Sequence, residues 1–271
     1  MENPDEVTLV PHPAIRKRIA RHMHTSSTAA AHAYAMIDVD YSTVDEIRRR
    51  WAPRWRQEHG YSLTYLPFVA RAVAIAIARY PNLNSRFTDG GLELRRPIGL
   101  GIAVDLDFEG LIVPVIPAAD RLDVPALAQA INVRAVRARG GRLRGADVAG
   151  GTFTLSNPGP FGARTTLPII NQPQVAILTM DAIAPRPVAV PADTADTDGR
   201  GDSGGHTVAI RPIGNLTLAW DHRAFDGAYA TSALSAIRAA LESHDWSAEF
   251  GSWAGAAASP PDEAAAVASP A

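Results

Sequence analysis

The chain contains no cysteine among its 271 residues. That excludes disulfides, thiolate metal sites and any covalent acyl-cysteine intermediate, and it fits a reducing compartment. An excess of either charge is missing as well. The 26 basic and 28 acidic side chains leave a formal net charge of −2, so neither a nucleic-acid nor a membrane partner is expected. There is no long hydrophobic run: the longest, Leu66 to Tyr80, falls short of a bilayer and carries Arg71 and Arg79. Met1 to Glu6 is polar and acidic, unlike a secretory signal. Together these absences predict a cytoplasmic protein.

What remains is an ordinary globular composition, 46% hydrophobic and 20% charged. No internal repeat is visible. Residues 1–11 read as a flexible arm. From Pro13 to Ala31, Ile15, Ile19 and Met23 recur at helical spacing, with Arg16, Lys17, Arg18 and Arg21 on other faces. His32 to Asp40 alternates as a strand. Thr43 and Glu46 have capping-box spacing, ahead of a helix whose buried stripe is Val44, Ile47 and Trp51. Leu63 to Tyr80 is apolar nearly all round and reads as a buried helix with Pro67 in its first turn. Strands follow at Leu92–Leu94, Ile98–Asp105 and Leu111–Ile116, the last two joined as a hairpin through residues 107–110. Asp123 and Pro125 open another helix, which Gly140 and Gly141 close. Further strands are expected at Thr152–Leu155, Val175–Met180 and Leu216–Trp220. A mobile loop is expected from Ala192 to Gly205, and a disordered Ala/Pro-rich tail over residues 246–271. The fold class is α/β, a single mixed-sheet domain over residues 12–245.

His222 stands where the strand Leu216–Trp220 ends and a turn leads into an amphipathic segment, Tyr229 to Leu241. Rigid flanking elements make such a position suited to presenting a reactive group. Imidazole is the side chain best matched to proton transfer near neutral pH.

Five ordered blocks carry a resemblance. Gly150–Gly159 is similar to the "GGTFTISNLG" block of the 2-oxoacid dehydrogenase acyltransferase (E2) catalytic domain. Pro168–Leu178 resembles the block after it, and Asp221–Ala228 resembles its "DHRxxDGA" signature. Arg16–Ala20 looks like the N-terminal "RKxIA" motif; Gly101–Asp105 with Gly110–Ile116 looks like the central hairpin. The resemblance runs from about residue 8 to 245. It implies a chloramphenicol acetyltransferase-like fold, a two-layer mixed β-sheet with helices on one face, assembled as a homotrimer. Departures are Pro158 and Pro160 after Ser156-Asn157, and Thr179 where the family has glycine.

The resemblance assigns His222 as general base, Ser156 as oxyanion donor and Asp226 as a structural partner to an arginine, Arg16 or Arg18. Gly227 is expected to let the chain turn tightly. It implies acetyl-CoA as acyl donor, direct transfer without an acyl-enzyme, and no metal. His22 and His24, two apart on a helix, share no face and make no metal pair. The arginines from Arg134 to Arg144 read as a solvated helix end rather than a coenzyme A phosphate site. E2 chains carry a lipoyl-lysine domain and a subunit-binding domain ahead of the catalytic one. With eleven residues before the first helix, the expectation is a stand-alone enzyme that O-acetylates a small-molecule hydroxyl, such as a tetronate or another carrier-protein-derived intermediate in antibiotic biosynthesis. The alternatives are a dihydrolipoyl acyltransferase core served by a lipoyl domain in trans, and a non-catalytic trimeric scaffold.

Overall fold

A computed structural model describes residues 7–191, 205–251 and 253. Its helices are α1 (Ala14–Ala29), α2 (Ser42–His59), α3 (Leu66–Arg79), α4 (Val124–Arg139) and α5 (Gly227–Ser243). Its strands are β1 (His32–Asp40), β2 (Ser85–Thr88), β3 (Gly91–Leu94), β4 (Leu100–Ile102), β5 (Val104–Asp105), β6 (Leu111–Ile112), β7 (Val115–Ile116), β8 (Phe153–Ser156), β9 (Ala176–Met180), β10 (Ala184–Pro191) and β11 (His206–Asp221). One mixed sheet runs β1-β11-β9-β8-β4-β7, with β10 added against the first half of β11. β8 is parallel to β4 and β9; the other pairs are antiparallel.

Alternation along the strands divides the interior. Leu216, Leu218 and Trp220 of β11, with Ala176, Leu178 and Met180 of β9, enter the main core beside Phe68 and Val73 of α3 and Leu234 and Ile237 of α5. Ile177 and Ala219 point the other way and meet Ala30 and Ile170 in a small second cluster. The expected two layers are therefore present, with α2 to α5 on one face. α1 is the exception. Its one buried residue, Ser26, donates its hydroxyl to Ile170 O on the far face, and its Ile15 and Ile19 reach Gly110 of the β5–β6 turn.

The apolar helix α3 forms as expected. Pro67 lies in its first turn, where a missing N–H costs no hydrogen bond. Asp123 caps α4 by accepting from Ala126 N at 2.9 Å. The capping box at Thr43 and Glu46 does not form. α2 begins two residues earlier, with Tyr41 at the N-cap, and Asp40 Oδ1 accepts from Ser42 N (2.9 Å) and Ser42 Oγ (2.6 Å) instead. The central hairpin is split: β4 pairs β7 within the main sheet, while β5 and β6 form a separate ribbon. Ala103 between them turns its N–H to Leu155 O at 3.0 Å. The domain also runs past residue 245. Trp246 and Phe250 are fully buried, and Trp253 packs its ring 5.4 Å from Trp55. The loop expected at Ala192–Gly205 falls, except for Gly205, outside the described residues.

Candidate active site

β11 ends at Asp221, and the next residue is held by backbone. His222 N donates to Ala31 O at 2.8 Å, leaving an imidazole about half exposed (49%). The residues on either side are fastened harder. Asp221 is buried, and its N–H donates to Val175 O at 2.8 Å. Its carboxylate accepts from Ala31 N (3.2 Å), Arg223 N (3.1 Å), Arg223 Nε (3.0 Å) and Arg223 Nη2 (2.7 Å). Burial acts to raise this carboxyl's pKa, but the Arg223 donors and the Ala31 amide outweigh it and hold it below the usual carboxylate range. The Arg223 guanidinium also lies 4.5 Å above the Phe87 ring. Trp220 Nε1 donates to Phe225 O at 3.0 Å and closes the turn from the core side.

Asp226 occupies the N-cap position of α5 with its side chain 91% exposed and no capping bond. Its Oδ1 is 3.9 Å from His222 Nδ1. The expected pairing with Arg16 or Arg18 is absent among the described residues; both arginines are exposed on α1, on the other side of the sheet. Gly227 adopts ordinary helical geometry, and a Cβ there would meet only the Trp220 ring at 3.9 Å. The turn thus does not require glycine.

Ser156 ends β8, partly buried, with no hydrogen bond to its hydroxyl among the described residues. It pairs with Thr179, which pairs with Thr217. Directly paired residues share a face, so three hydroxyl side chains line up on the far face. Thr217 Oγ1 is buried without a partner, and Thr179 Oγ1 has only long contacts, 3.4 Å to Thr166 O and 3.5 Å to Thr217 O. After Ser156, Asn157 Oδ1 accepts from Gly159 N at 3.1 Å. A Cβ on Gly159 would sit 2.8 Å from Asp181 O, so the loop packs too tightly there for any side chain.

The register separates the two ends. Ser156 is level with Thr217, five residues before His222 on β11. At strand rise that is roughly 17 Å along the sheet, before adding two strand spacings. Within one chain the imidazole and the hydroxyl do not meet.

Two other histidines, His22 and His32, are held by loop residues before β9. His22 Nε2 contacts Asn171 Oδ1 at 2.9 Å, and His32 Nε2 accepts from Ile170 N at 3.0 Å. No cluster of three potential metal ligands occurs among the described residues, and no described helix is long and apolar enough to cross a membrane. In the arginine run, Arg134 Nε donates to Val115 O at 3.0 Å and Arg137 lies 3.8 Å from Asp147.

A family model for 2-oxoacid dehydrogenases acyltransferase (catalytic domain) matches residues 4–247. The chain belongs to this family. It is 34% identical over 236 residues to the lipoamide acyltransferase component of the branched-chain alpha-keto acid dehydrogenase complex of Bacillus subtilis, covering 87% of this chain and 52% of that protein. It is 37% identical over 215 residues to the dihydrolipoyllysine-residue acetyltransferase component of the Corynebacterium glutamicum pyruvate dehydrogenase complex, covering 79% and 30%. The chain thus spans about half or less of these relatives' length. Among solved structures, a probable dihydrolipoamide acetyltransferase from Listeria monocytogenes superposes with a TM-score of 0.79 at 35% identity, covering 88% of this chain and 97% of that one. The Azotobacter vinelandii dihydrolipoamide acetyltransferase, studied for a serine, a histidine and an asparagine in its mechanism, superposes at 0.78 with 28% identity, covering 90% and 94%. The acyltransferase fold expected from the motifs is the one observed.

Sequence reasoning gave no role to Asp221, Arg223 or Ala31, which build the turn around His222. A signal was present: an acid and a base flank the histidine immediately after an apolar strand, where one of them had to be buried.

Proposed function

We propose that the protein transfers acyl groups between coenzyme A and a dihydrolipoyl dithiol, as the catalytic core of a 2-oxoacid dehydrogenase acyltransferase. The named relatives act in such complexes, and they favour the dithiol over the small-molecule hydroxyl that led the sequence expectations. His222 is the general base. Its Nδ1 faces Asp226, leaving Nε2 for the substrate thiol. The thiol's proton passes to Nε2, its sulfur attacks the thioester carbonyl, and Ser156 Oγ–H donates to the oxyanion. Collapse expels the other thiolate, which recovers the proton. Such a base contributes about 10²–10⁴-fold to rate.

The observation that carries this reading is the separation of the two groups along the sheet. Ser156 and a half-exposed His222 at opposite ends of one chain meet when one copy brings its histidine to another copy's serine. A homotrimer with three such seams is the proposed assembly, and the far face suits it: Tyr34, Met36, Leu167 and Ile169 are large, apolar and exposed there. The test offers acetyl-CoA with dihydrolipoamide or with alcohols. Turnover on dihydrolipoamide alone is expected. Turnover confined to alcohols transfers the assignment to O-acetylation, and an inactive wild type that still assembles leaves only the scaffold.

A further inference from the structure

The hydroxyls beside Ser156 are handled unlike others in the interior. Ser85 and Thr154 are buried as well, and each donates at 2.7 Å, to Asn82 O and Gln174 Oε1. Thr179 and Thr217 are fully buried without that compensation. Thr179 Oγ1 reaches only Thr166 O at 3.4 Å and Thr217 O at 3.5 Å, lengths at which a hydroxyl bond is weak. Thr217 Oγ1 has no partner among the described residues. A buried hydroxyl left this way is costly. Thr179 is also one of the chain's departures, standing where the family has glycine, so this chain carries a cost that glycine would not impose.

The row has a roof and one open end. Ser156, Thr179 and Thr217 are successive ladder partners, and the next position across the sheet is Met36 of β1. The thioether there offers no hydrogen to donate and only a weak acceptor. Above the row lies the chain that follows Ser156. Ala163 O accepts from Ala182 N at 2.7 Å, and Thr165 Oγ1 accepts from Asn215 Nδ2 at 3.1 Å. Thr166 donates its hydroxyl and its amide to the Asp181 carboxylate, at 2.7 and 3.3 Å. These bonds hold Thr166 O against Thr179 and close Thr217 Oγ1 to solvent. Ser156 alone of the three is partly exposed. The row therefore opens only at the residue assigned to the oxyanion.

A hydroxyl has one hydrogen and two lone pairs. Three in line can all donate in one direction only when the last hydrogen finds an acceptor. Threonine and serine hydroxyls on paired strands are within reach of one another after a turn about χ1. We infer that Thr179 is a positioning residue for Ser156, with Thr217 behind it. As the oxyanion forms, Thr217 Oγ1–H donates to Thr179 Oγ1, Thr179 Oγ1–H to Ser156 Oγ, and Ser156 Oγ–H to the oxyanion. No proton changes oxygen; the hydroxyls only turn. Each donor polarises the next, so the last bond is stronger than an isolated serine would make. The buried hydroxyls lack good partners at rest because the acceptor that completes the row is the charge developed in the reaction. The gain belongs to the transition state, so it falls on kcat and not on KM. This rests on the acyl-transfer reading above.

The test uses the whole chain, with acetyl-CoA and whichever acceptor the wild type turns over. Thr179→Val keeps the shape and removes the hydroxyl. Its kcat is expected to fall about tenfold, the worth of one hydrogen bond, with KM for both substrates unchanged. Thr217→Val, one link further back, should lose about threefold. Thr179→Ser keeps the hydroxyl and should stay within about twofold of the wild type. In a chain already carrying Ser156→Ala, adding Thr179→Val should lower kcat no further, because nothing is left to position. In denaturant titrations neither valine variant should be less stable than the wild type, since each removes a hydroxyl that has no good partner at rest. The inference is overturned by a wild-type kcat in Thr179→Val, by the same loss in Thr179→Ser, by a loss repeated in full on Ser156→Ala, or by a fall in stability, which would make the row structural. A wild type that transfers to no acceptor removes the acyl-transfer reading and this inference with it. A wild type that transfers beside an unimpaired Thr179→Val removes the inference alone.

Discussion

The two ends of the central sheet are built on opposite plans. At the end of β11, the turn around His222 is tied within the chain: Asp221 to Arg223 and Ala31, His222 N to Ala31 O, Trp220 to Phe225. At the end of β8, Ser156, Thr179 and Thr217 present hydroxyls with weak partners or none. The first region is complete in one copy. The second is left open on a face that carries exposed Met36 and Tyr34. This contrast is what the proposed centre, with His222 of one copy serving Ser156 of another, would need.

The sharpest way to break this contrast is to damage one end per chain. His222→Ala is expected to lower kcat about 10²–10⁴-fold, and Ser156→Ala to lower it about 10²–10³-fold, each with an unchanged circular dichroism spectrum. Assembled together from separately inactive chains, the two variants should regain roughly a quarter of wild-type sites by random placement around a closed ring. No recovery on mixing would falsify the shared centre.

Next in size is the clamp at the rigid end. Arg223→Ala leaves the buried Asp221 charge without its partner and should cost about 2 kcal/mol in denaturant titrations, discounted from the usual figure because Arg223 is partly exposed. Asp221→Asn should cost less, about 1 kcal/mol, since it removes the charge itself. Their pH dependence carries a definite sign. The Asp221 pKa is depressed in the folded state, so its contribution is full above the unfolded carboxylate value, about 3.9, and is lost as pH falls through the folded value. The stability gap between wild type and Asp221→Asn should close on acidification; a gap that widens contradicts the clamp. The smallest effect is expected at Asp226. Its carboxylate is exposed and 3.9 Å from the imidazole, so Asp226→Asn should change kcat by no more than about fivefold.

The rigid end was also the more legible one. Its strand alternates cleanly, its histidine is punctuated by charge, and α3 and α5 declare their apolar faces. Position was readable, but mutual arrangement was not: nothing local says that Asp221 rather than Asp226 takes the arginine. That choice depends on which carboxylate the fold buries. β10 escaped for a different reason. Pro185, Pro187 and Pro191 argue against a strand, yet all three fall on alternate positions of a strand that pairs only with β11. Their missing N–H groups point away from the partner, so the pairing loses nothing. The Ala-rich end of the chain concealed Trp246, Phe250 and Trp253, whose packing against Trp51, Trp55 and Phe68 comes from residues distant in sequence. The proposed shared centre lies in no single stretch of chain, because it would form only between the ends of two sheets.

Ala31, two residues past the end of the first helix, ties that helix directly to the His222 turn. Its amide is held by the carboxylate before the imidazole, and its carbonyl by the imidazole's own backbone N–H. Any neighbour that tugs on the N-terminal helix pulls on this one peptide, and through it on the aim of the His222 ring, the base of the proposed mechanism.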